Sequence, residues 1–188
     1  MPNWCTNTLL VKGDPDDVQS LLEAVKDSET ELSLNKIITC PEELSNGPAP
    51  QRNPQQEEIF VTKYGAKDWY DWNVKNWGTK WDVTASIYSD SFERVPGYST
   101  VTKPKDRVVK FEFDSAWSPP VAAVNMLAKQ FPKLDFYHTY DESGCDFSGY
   151  NMYSKGVCVK EVESDSFSSR RMYYEPEDDI FDYFPDNE

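Results

Sequence analysis

One continuous stretch decides the fold: VVKFEFDSAWSPPVAAVNMLAKQFPKLDFYHTY, which spans residues 108–140. Apolar and polar residues alternate over residues 109–114, which predicts a strand with one buried face. Ser118 can cap a helix in which Pro119 takes the first position, and apolar residues then recur at helical spacing up to the next proline. A second alternating run begins at Leu134. The stretch therefore predicts a strand, a helix and another strand in direct succession.

The earlier part of the chain predicts a similar succession. A β-prone run over residues 6–12 is followed by an amphipathic helix over residues 15–27, which Asp14 caps and Pro15 starts. Residues 81–88 alternate again and are predicted as a strand. In chain order the predicted elements are therefore strand, helix, strand, strand, helix and strand.

Together these elements predict an α+β protein with a ferredoxin-like, split βαβ fold. In this arrangement two helices cover one face of an antiparallel sheet, and we expect the other face to be open. Residues 28–79 are predicted as an insertion, irregular at first and then tryptophan-rich, with one or two helices around Gly65 that end at Gly78. Residues 147–162 add a C-terminal hairpin. We assign residues 1–163 to this domain.

The remaining residues, 164–188, have the composition of an acidic and aromatic tail. The chain has 33 acidic and 19 basic residues and a formal net charge of −14, which disfavours double-stranded nucleic acid as a partner and favours a host protein with a basic surface. The candidate partner-binding residues of the tail are Glu175, Glu177, Asp178, Asp179, Phe181, Asp182, Tyr183 and Phe184. The alternative is that the tail folds back on its own domain or only keeps the protein soluble.

Composition also bears on the compartment and on cofactors. No window is apolar over the length that a membrane helix needs, and the first residues lack a signal segment. The four cysteines are Cys5, Cys40, Cys145 and Cys158, which are far apart and form no C-x-x-C pair. We therefore expect a cytoplasmic protein with free, buried thiols, no membrane contact, no metal and no cofactor.

Several short runs of the sequence resemble one known family. They are PNWCTN (2–7), PEEL (41–44), NWGTKWD (76–82), AWSPP (116–120) and, after Gly144, FSG (147–149). These motifs are similar to those of the YubB ferredoxin-like domain family, a group of phage-, prophage- and plasmid-encoded proteins without an assigned activity. The resemblance spans roughly residues 1–162 and leaves the tail outside. It implies the ferredoxin-like fold and a mobile-element origin, and it implies no catalytic residues.

The second half of the insertion interleaves aromatic and basic residues in a stretch that is not acidic. Trp69 and Trp72 are the predicted exposed pair and are candidates for partner binding. In the alternative use of this stretch, the rings stack on the bases of single-stranded nucleic acid or on a nucleotide. The lysines of that alternative are Lys63, Lys67, Lys75 and Lys80. For the cluster as a whole a structural role is favoured, in which Trp77 and Trp81 hold the insertion on the sheet.

Carboxylates on strands or at strand ends are the basis of a third hypothesis, a metal-dependent hydrolase. The candidates are Asp82, Asp114, Asp135, Asp141 and Glu142. No spacing pattern singles out a site among so many acids, so a solvated charged face is the favoured interpretation. His138 is expected to be a hydrogen-bonded core or sheet-face residue rather than a general base.

The leading functional hypothesis is a binding protein rather than an enzyme. It is an accessory protein of a phage or other mobile element that binds a host protein and inhibits it by occupying a basic or nucleic-acid-binding surface. The second hypothesis is a nucleic-acid or nucleotide module that uses the open sheet face and the lysine- and tryptophan-rich stretch.

Overall fold

The structure, a computed structural model, describes residues 3–91 and 106–165 of the chain. Its strands are β1 (Trp4–Gly13), β2 (Ser86–Ser91), β3 (Arg107–Ala116), β4 (Asp135–Glu142), β5 (Phe147–Ser154) and β6 (Val157–Ser164). Its helices are α1 (Pro15–Val25), α2 (Leu34–Ile37), α3 (Glu42–Ser45), α4 (Pro54–Tyr64), α5 (Trp69–Trp77) and α6 (Val121–Gln130).

Strand β1 lies inside a single antiparallel sheet. It pairs with β3 from Trp4 opposite Ala116 to Gly13 opposite Arg107, and it pairs with β4 on its other side. The order across the sheet is β2-β3-β1-β4-β5-β6. With α1 following β1 and α6 between β3 and β4, the first four strands have the ferredoxin-like arrangement, and β5 and β6 extend it as a hairpin. The predicted α+β, ferredoxin-like fold class is confirmed.

The start of α1 follows from its first residues. The Asp14 carboxylate accepts a hydrogen bond of 3.0 Å from the Asp16 amide, and Pro15 stands in the first turn, where its missing N–H costs nothing. The residues that α1 buries are Val18, Leu21 and Val25. The predicted helix is therefore confirmed, although it ends at Val25.

The start of α6 differs from the prediction. Ser118 does not cap the helix, because its hydroxyl donates a hydrogen bond to the Gly78 carbonyl. The Val121 amide donates to the Pro119 carbonyl at 2.9 Å, which makes a tight turn at Pro120, and the helix begins only after that turn. The serine thus fastens the insertion to the end of β3 instead of starting the helix.

The two longer helices of the insertion have the predicted ends. Gly65 closes α4 with a φ of 69°, and Gly78 closes α5 with a φ of 91°. These left-handed angles favour glycine because a Cβ would clash with the backbone. At the other ends, the side chains of Asn53 and Asp68 cap α4 and α5 by accepting hydrogen bonds from backbone amides.

The predicted strand over residues 81–88 is largely wrong, because β2 begins only at Ser86. The Asp82 carboxylate accepts hydrogen bonds from the Ser33 hydroxyl at 2.7 Å and from the Leu34 amide at 2.6 Å. These bonds hold the chain against the loop after α1, so it cannot pair with β3 until it has passed that loop. Alternation alone does not reveal this competing partner.

The two ends of the insertion are joined at Thr30 and Ala85. The Ala85 amide donates to the Thr30 hydroxyl at 2.8 Å, and the Glu31 amide donates to the Ala85 carbonyl at 3.2 Å. The chain between these two residues therefore begins and ends at one place, and its helices pack on the same core as α1 and α6.

The sheet has a separate buried cluster on each face. All the described helices contribute to the first cluster, together with strand residues such as Leu9 and Val11. The second cluster consists only of strand residues, namely Leu10, Val108, Tyr137, Tyr150 and Met152, with Val162 packed against it. These five side chains are at most 9% exposed, so the prediction of an open second face is wrong over this area. Consecutive apolar residues such as Leu9, Leu10 and Val11 are the signal for two buried faces.

Two expectations from composition, on the cysteines and on membrane-spanning helices, can be compared with the structure. Cys5 and Cys40 are free, buried thiols as expected, whereas Cys145 and Cys158 are free but exposed. Among the described helices, none is long and apolar enough to cross a bilayer.

Gly149 marks a close contact within the sheet that we expect to be intolerant of substitution. A Cβ here would overlap the Tyr140 hydroxyl and the Val162 carbonyl oxygen. Because the backbone oxygen cannot move aside, Gly149→Ala should lower the free energy of unfolding by about 1–3 kcal/mol, measured by urea denaturation. Gly47→Ala is the matched control, since its Cβ would come no closer than 3.3 Å to the Leu44 carbonyl oxygen. Equal stabilities of the two variants would contradict this expectation.

Candidate functional site

The tryptophans of the insertion divide between the core and the surface. Trp72 is only 7% exposed and meets Trp77 edge to face, with ring centroids 5.8 Å apart. The Trp77 indole nitrogen donates to the Ile38 carbonyl at 2.8 Å, which ties α5 to the preceding loop. The prediction of Trp72 as an exposed partner-binding residue is therefore wrong. The Trp72 ring instead packs the insertion against the core, as large indole rings commonly do.

Five other side chains form a continuous row on the surface, which we call the aromatic–lysine surface. Its members are Trp69, Tyr70, Lys80, Trp81 and Trp4. Trp69 and Tyr70 are in edge contact with ring centroids 6.1 Å apart, and the Trp81 and Trp4 rings are 6.2 Å apart. Lys80 joins the two pairs, because its Nζ lies 5.4 Å from the centre of the Tyr70 ring and 4.5 Å from that of Trp81. Both distances are within the range of cation–π attraction.

Most of this row faces solvent. Tyr70 is 43%, Trp81 38% and Trp4 52% exposed, whereas Trp69 is partly buried and packs against the core. Large aromatic side chains are seldom left in water in a group, so a contiguous exposed group indicates a contact surface.

The backbone beneath Lys80 is held on both sides. Asn73 of α5 donates from its amide nitrogen to the Lys80 carbonyl at 2.9 Å. The Thr79 hydroxyl donates to the Ala116 carbonyl at the end of β3 at 2.8 Å. Because Trp4 is the register partner of Ala116, the start of β1 lies beside this turn and brings its indole to the row.

A cleft of about 360 Å³ lies at one end of the row. It is lined by Ala49, Pro50, Lys67, Asp68, Trp69, Tyr70 and Lys80. The carboxylate of Asp68 accepts hydrogen bonds from the Asp71 amide at 2.9 Å and the Gln51 amide at 3.3 Å, so its charge is matched by backbone donors. The cleft thus offers aromatic and proline walls with two ammonium groups, a combination suited to an apolar or planar group that carries negative charge.

The structure separates the four lysines of the nucleic-acid hypothesis. Lys67 and Lys80 line the cleft. Lys63 instead pairs with Glu43 at 2.7 Å, and its hydrogen bond holds the pKa of that carboxyl below its usual value. Lys75 donates to the Gly65 carbonyl at 3.1 Å. Only two of the four lysines are therefore brought together with the exposed rings.

The predicted tail site lies outside the described residues. This applies to all of Glu175, Glu177, Asp178, Asp179, Phe181, Asp182, Tyr183 and Phe184.

The five carboxylates of the hydrolase hypothesis do not form one cluster, although Asp114 and Asp141 lie on either side of Thr6 on the strands that flank β1. Asp135 and Glu142 stand at opposite ends of β4, which puts them about 23 Å apart at the rise of an extended strand. Burial would raise the pKa of Glu142, but hydrogen bonds from Cys145 and Gly144 outweigh it and lower the pKa. Asp82 is bound to the loop after α1. Within residues 3–91 and 106–165, no three His, Cys, Asp or Glu side chains are placed to share a metal ion.

His138 is a core residue. It is fully buried on β4, and its Nε2 lies 3.0 Å from the side-chain oxygen of Asn7. The Asn7 amide nitrogen donates in turn to the Cys5 carbonyl at 2.8 Å and the Ser115 hydroxyl at 2.9 Å. Burial lowers the pKa of His138 to about 3, so the ring is neutral at physiological pH. The expected hydrogen-bonded core histidine is what the structure contains.

Sequence reasoning identified the stretch that contains Trp69, Tyr70, Lys80 and Trp81, but it assigned Trp81 to holding the insertion on the sheet and missed Trp4. Tyr70 and Trp81 belonged to the recognised cluster, but helical and strand spacing did not show which rings face outward. Trp4 lies far away in sequence, and only the pairing of β1 with the end of β3 brings it to Trp81. The signal for the exposure of Trp81 was its neighbour Lys80, because a lysine is seldom fully buried and keeps its ammonium group near the surface.

The division of tryptophans between core and surface predicts opposite responses to truncation. Trp72→Ala should lower the free energy of unfolding by about 3–5 kcal/mol, because it removes a buried ring and leaves a cavity. Trp81→Ala should change it by less than about 1 kcal/mol, because that ring is exposed. Urea denaturation followed by circular dichroism measures both, and a reversed order of the two variants would contradict the assignment.

The buried histidine predicts a loss of stability in mild acid. The folded-state pKa of about 3 lies below the ordinary value of 6.5, so below pH 6.5 only the unfolded chain takes up this proton. The free energy of unfolding should then fall by about 1.4 kcal/mol per pH unit, or roughly 2 kcal/mol between pH 6.5 and pH 5. His138→Gln should remove this part of the pH dependence. An unchanged slope in that variant would contradict the prediction.

A comparison with models of known protein families agrees with the fold. A family model described as a ferredoxin-like domain in Api92-like protein matches residues 97–183. Among solved structures, the crystal structure of protein api92 from Yersinia pseudotuberculosis is similar, with a TM-score of 0.47, 13% sequence identity, and coverage of 87% of this chain and 98% of that chain. No curated protein matches the chain.

The matching model differs from the family that the sequence motifs resemble. The motifs indicated the YubB ferredoxin-like domain family, whereas the match is to the ferredoxin-like domain of Api92-like proteins, whose function is also unknown. The resemblance is therefore right in the type of domain and in the lack of an assigned activity, and wrong in the family name. The chain has a ferredoxin-like domain that is similar to that of Api92-like proteins.

Proposed function

We propose that this protein works by binding, with the aromatic–lysine surface as its principal contact area. It acts as an accessory protein of a phage or related mobile element, in the cytoplasm of the host cell, and its partner is a host protein. The observation that carries this proposal is the row of exposed rings around Lys80, with a cleft at its end.

The chemistry of the row supports protein binding. Tryptophan and tyrosine supply a large share of the energy at protein interfaces, because they bury much area at a small cost in side-chain freedom. Tyr70, Trp81 and Trp4 are already exposed and fixed at the ends of α5, the turn after it and β1. A partner can therefore cover them without a rearrangement of the domain.

Overall charge determines the partner that we propose. The net charge of −14 attracts a protein with a basic surface and repels an acidic one. Lys80 and Lys67 make the contact area itself less acidic than the rest of the protein, so the acids elsewhere attract a basic partner and the rings supply the contact. By occupying a basic or nucleic-acid-binding surface, the protein would inhibit its host target. The acidic tail is a second contact in this proposal, supported by its seven acids and absence of basic residues over residues 172–188.

A second candidate function is the binding of single-stranded nucleic acid or a nucleotide. The observation that favours it is the spacing of about 6 Å between successive rings beside Lys80 and Lys67, since rings and cations together hold unpaired bases. The part of this hypothesis that needed an open sheet face has lost its support, because the second cluster is buried.

A pull-down from host-cell lysate tests the main proposal. Wild type and Trp81→Ala are used as baits, and Trp81→Ala should retain about tenfold less of a specific partner, as expected for loss of a contact worth roughly 1.4 kcal/mol. Tyr88→Ala is the matched control: Tyr88 is also exposed, and Lys110 lies 4.2 Å over its ring, but it stands on β2 away from the row. Equal retention by the two variants would overturn the role of the surface.

Two further arms separate the alternatives. A chain that ends at residue 171 reports the contribution of the tail, and undiminished binding at low salt would remove the tail from the proposal. Titration of tryptophan fluorescence with single-stranded oligonucleotides and nucleotides tests the second candidate. Quenching that disappears in Trp81→Ala would support nucleic-acid binding, whereas no quenching at low salt would exclude it.

A further inference from the structure

Three buried polar atoms on one face of the sheet have no hydrogen-bond partner among residues 3–91 and 106–165. They are Nδ1 of His138, the side-chain oxygen of Asn151 and the hydroxyl of Tyr153. All three residues are at most 1% exposed. Nearly all buried polar atoms in proteins are paired, so three unpaired atoms in one neighbourhood call for a common explanation.

The register of the sheet places these residues together. His138 on β4 is opposite Asn151 on β5, and Tyr153 is opposite Phe136, two residues from His138. Residues 151 and 153 point to the same face as residue 138 because side chains alternate along a strand. Opposite residues have Cβ atoms about 4.5–5.5 Å apart, and an aromatic residue at the diagonal position is still within reach. The three polar groups therefore share one small region between β4 and β5.

The hydrogen-bond roles of the three atoms follow from their surroundings. The Asn7 amide nitrogen donates to Cys5 and Ser115, so its oxygen is the group that faces His138 Nε2. Nε2 must then carry the proton of the neutral ring, and Nδ1 is left with a lone pair. Burial raises the pKa of Tyr153, so its hydroxyl keeps its proton and can donate. The region thus contains two acceptors and one donor.

We propose that an internal water molecule binds between β4 and β5, donating to His138 Nδ1 and the Asn151 oxygen and accepting from the Tyr153 hydroxyl. Water has the two donors and the acceptor that this set lacks, and buried waters typically make about three hydrogen bonds. Direct contacts among the three residues cannot do this, because two acceptors do not bind each other and the hydroxyl has one proton.

The bound water extends a network that begins on β3. From the Ser115 hydroxyl on β3 it runs through Asn7 and His138 and then through the water to Asn151 and Tyr153. Four adjacent strands, β3, β1, β4 and β5, are linked by this chain of side chains. The water also keeps the histidine in the tautomer with the proton on Nε2.

The single histidine makes the test direct, because every imidazole signal in a 15N NMR spectrum belongs to His138. We expect the Nε2–H tautomer and an Nδ1 resonance shifted by an accepted hydrogen bond, unchanged between pH 8 and pH 5. A crystal structure should show water density within about 2.7–3.2 Å of all three atoms. An Nδ1–H tautomer, or no density at this position, would overturn the proposal.

Variants test independently whether the water is bound at this position. Asn151→Leu removes one acceptor at similar size. Water relaxation dispersion should then report one long-lived water fewer, and the Nδ1 resonance of His138 should shift. Ser89→Ala is the matched control, because Ser89 also has a buried unpaired hydroxyl but lies on β2. A shift of the His138 Nδ1 resonance in both variants would contradict a site at His138. If Asn151→Leu does not fold, the wild-type crystal structure and tautomer decide.

Discussion

The close approach of Gly78 to the turn before α6 is the constraint on which the surface depends. A Cβ on Gly78 would lie 3.0 Å from the Pro119 carbonyl oxygen and 3.2 Å from the Val121 amide nitrogen, and its φ is left-handed. Only glycine meets both conditions without strain. The chain reverses here, so Trp77 before the glycine enters the core and Lys80 after it lies half-buried at the surface. One contact thus fixes both the burial of the insertion and the exposure of the row.

Electrostatics act on this surface at two ranges. The net charge of −14 determines which proteins approach, but in ordinary buffer its effect is screened beyond about 8–10 Å. Lys80 acts at 4.5 Å, where its ammonium group is held over the Trp81 ring. A strongly acidic protein can therefore carry a contact area with a locally different character. The aromatic rings provide most of the area at that site, and the lysines set its charge.

The sequence predicted the elements of the fold better than their exact limits. Proline and an acid at the start of α1 and glycine at the end of α5 are local signals, and the structure has them where expected. The errors concern tertiary competition. Ser118 binds Gly78 instead of the helix, and Asp82 binds the loop after α1, which delays β2. Neither partner is near in sequence, so spacing could not reveal them.

The candidate site shows the same limit. The sequence located the right stretch, and Trp69, Lys67 and Lys80 do lie together at the cleft. It could not decide which ring points outward, because α5 carries Trp72 and Trp77 on its core side and Tyr70 on its solvent side. Trp4 needed the register of β1 against β3. The buried polar network was equally hidden, since His138 acquires its role only from neighbours on other strands.

The hydrogen bonds that join Thr30 and Glu31 to Ala85 have a consequence for variation of the insertion. Because the insertion begins and ends at one point, its length can change with little effect on the entropy of closing the loop, which rises only slowly with chain length. Only the parts of the insertion outside the core can vary in this way, because its helices bury Leu34, Phe60 and Trp72 in the same cluster as α1 and α6. A redesign of binding should therefore change exposed residues such as Tyr70 and Trp81 and keep the buried residues of the insertion unchanged.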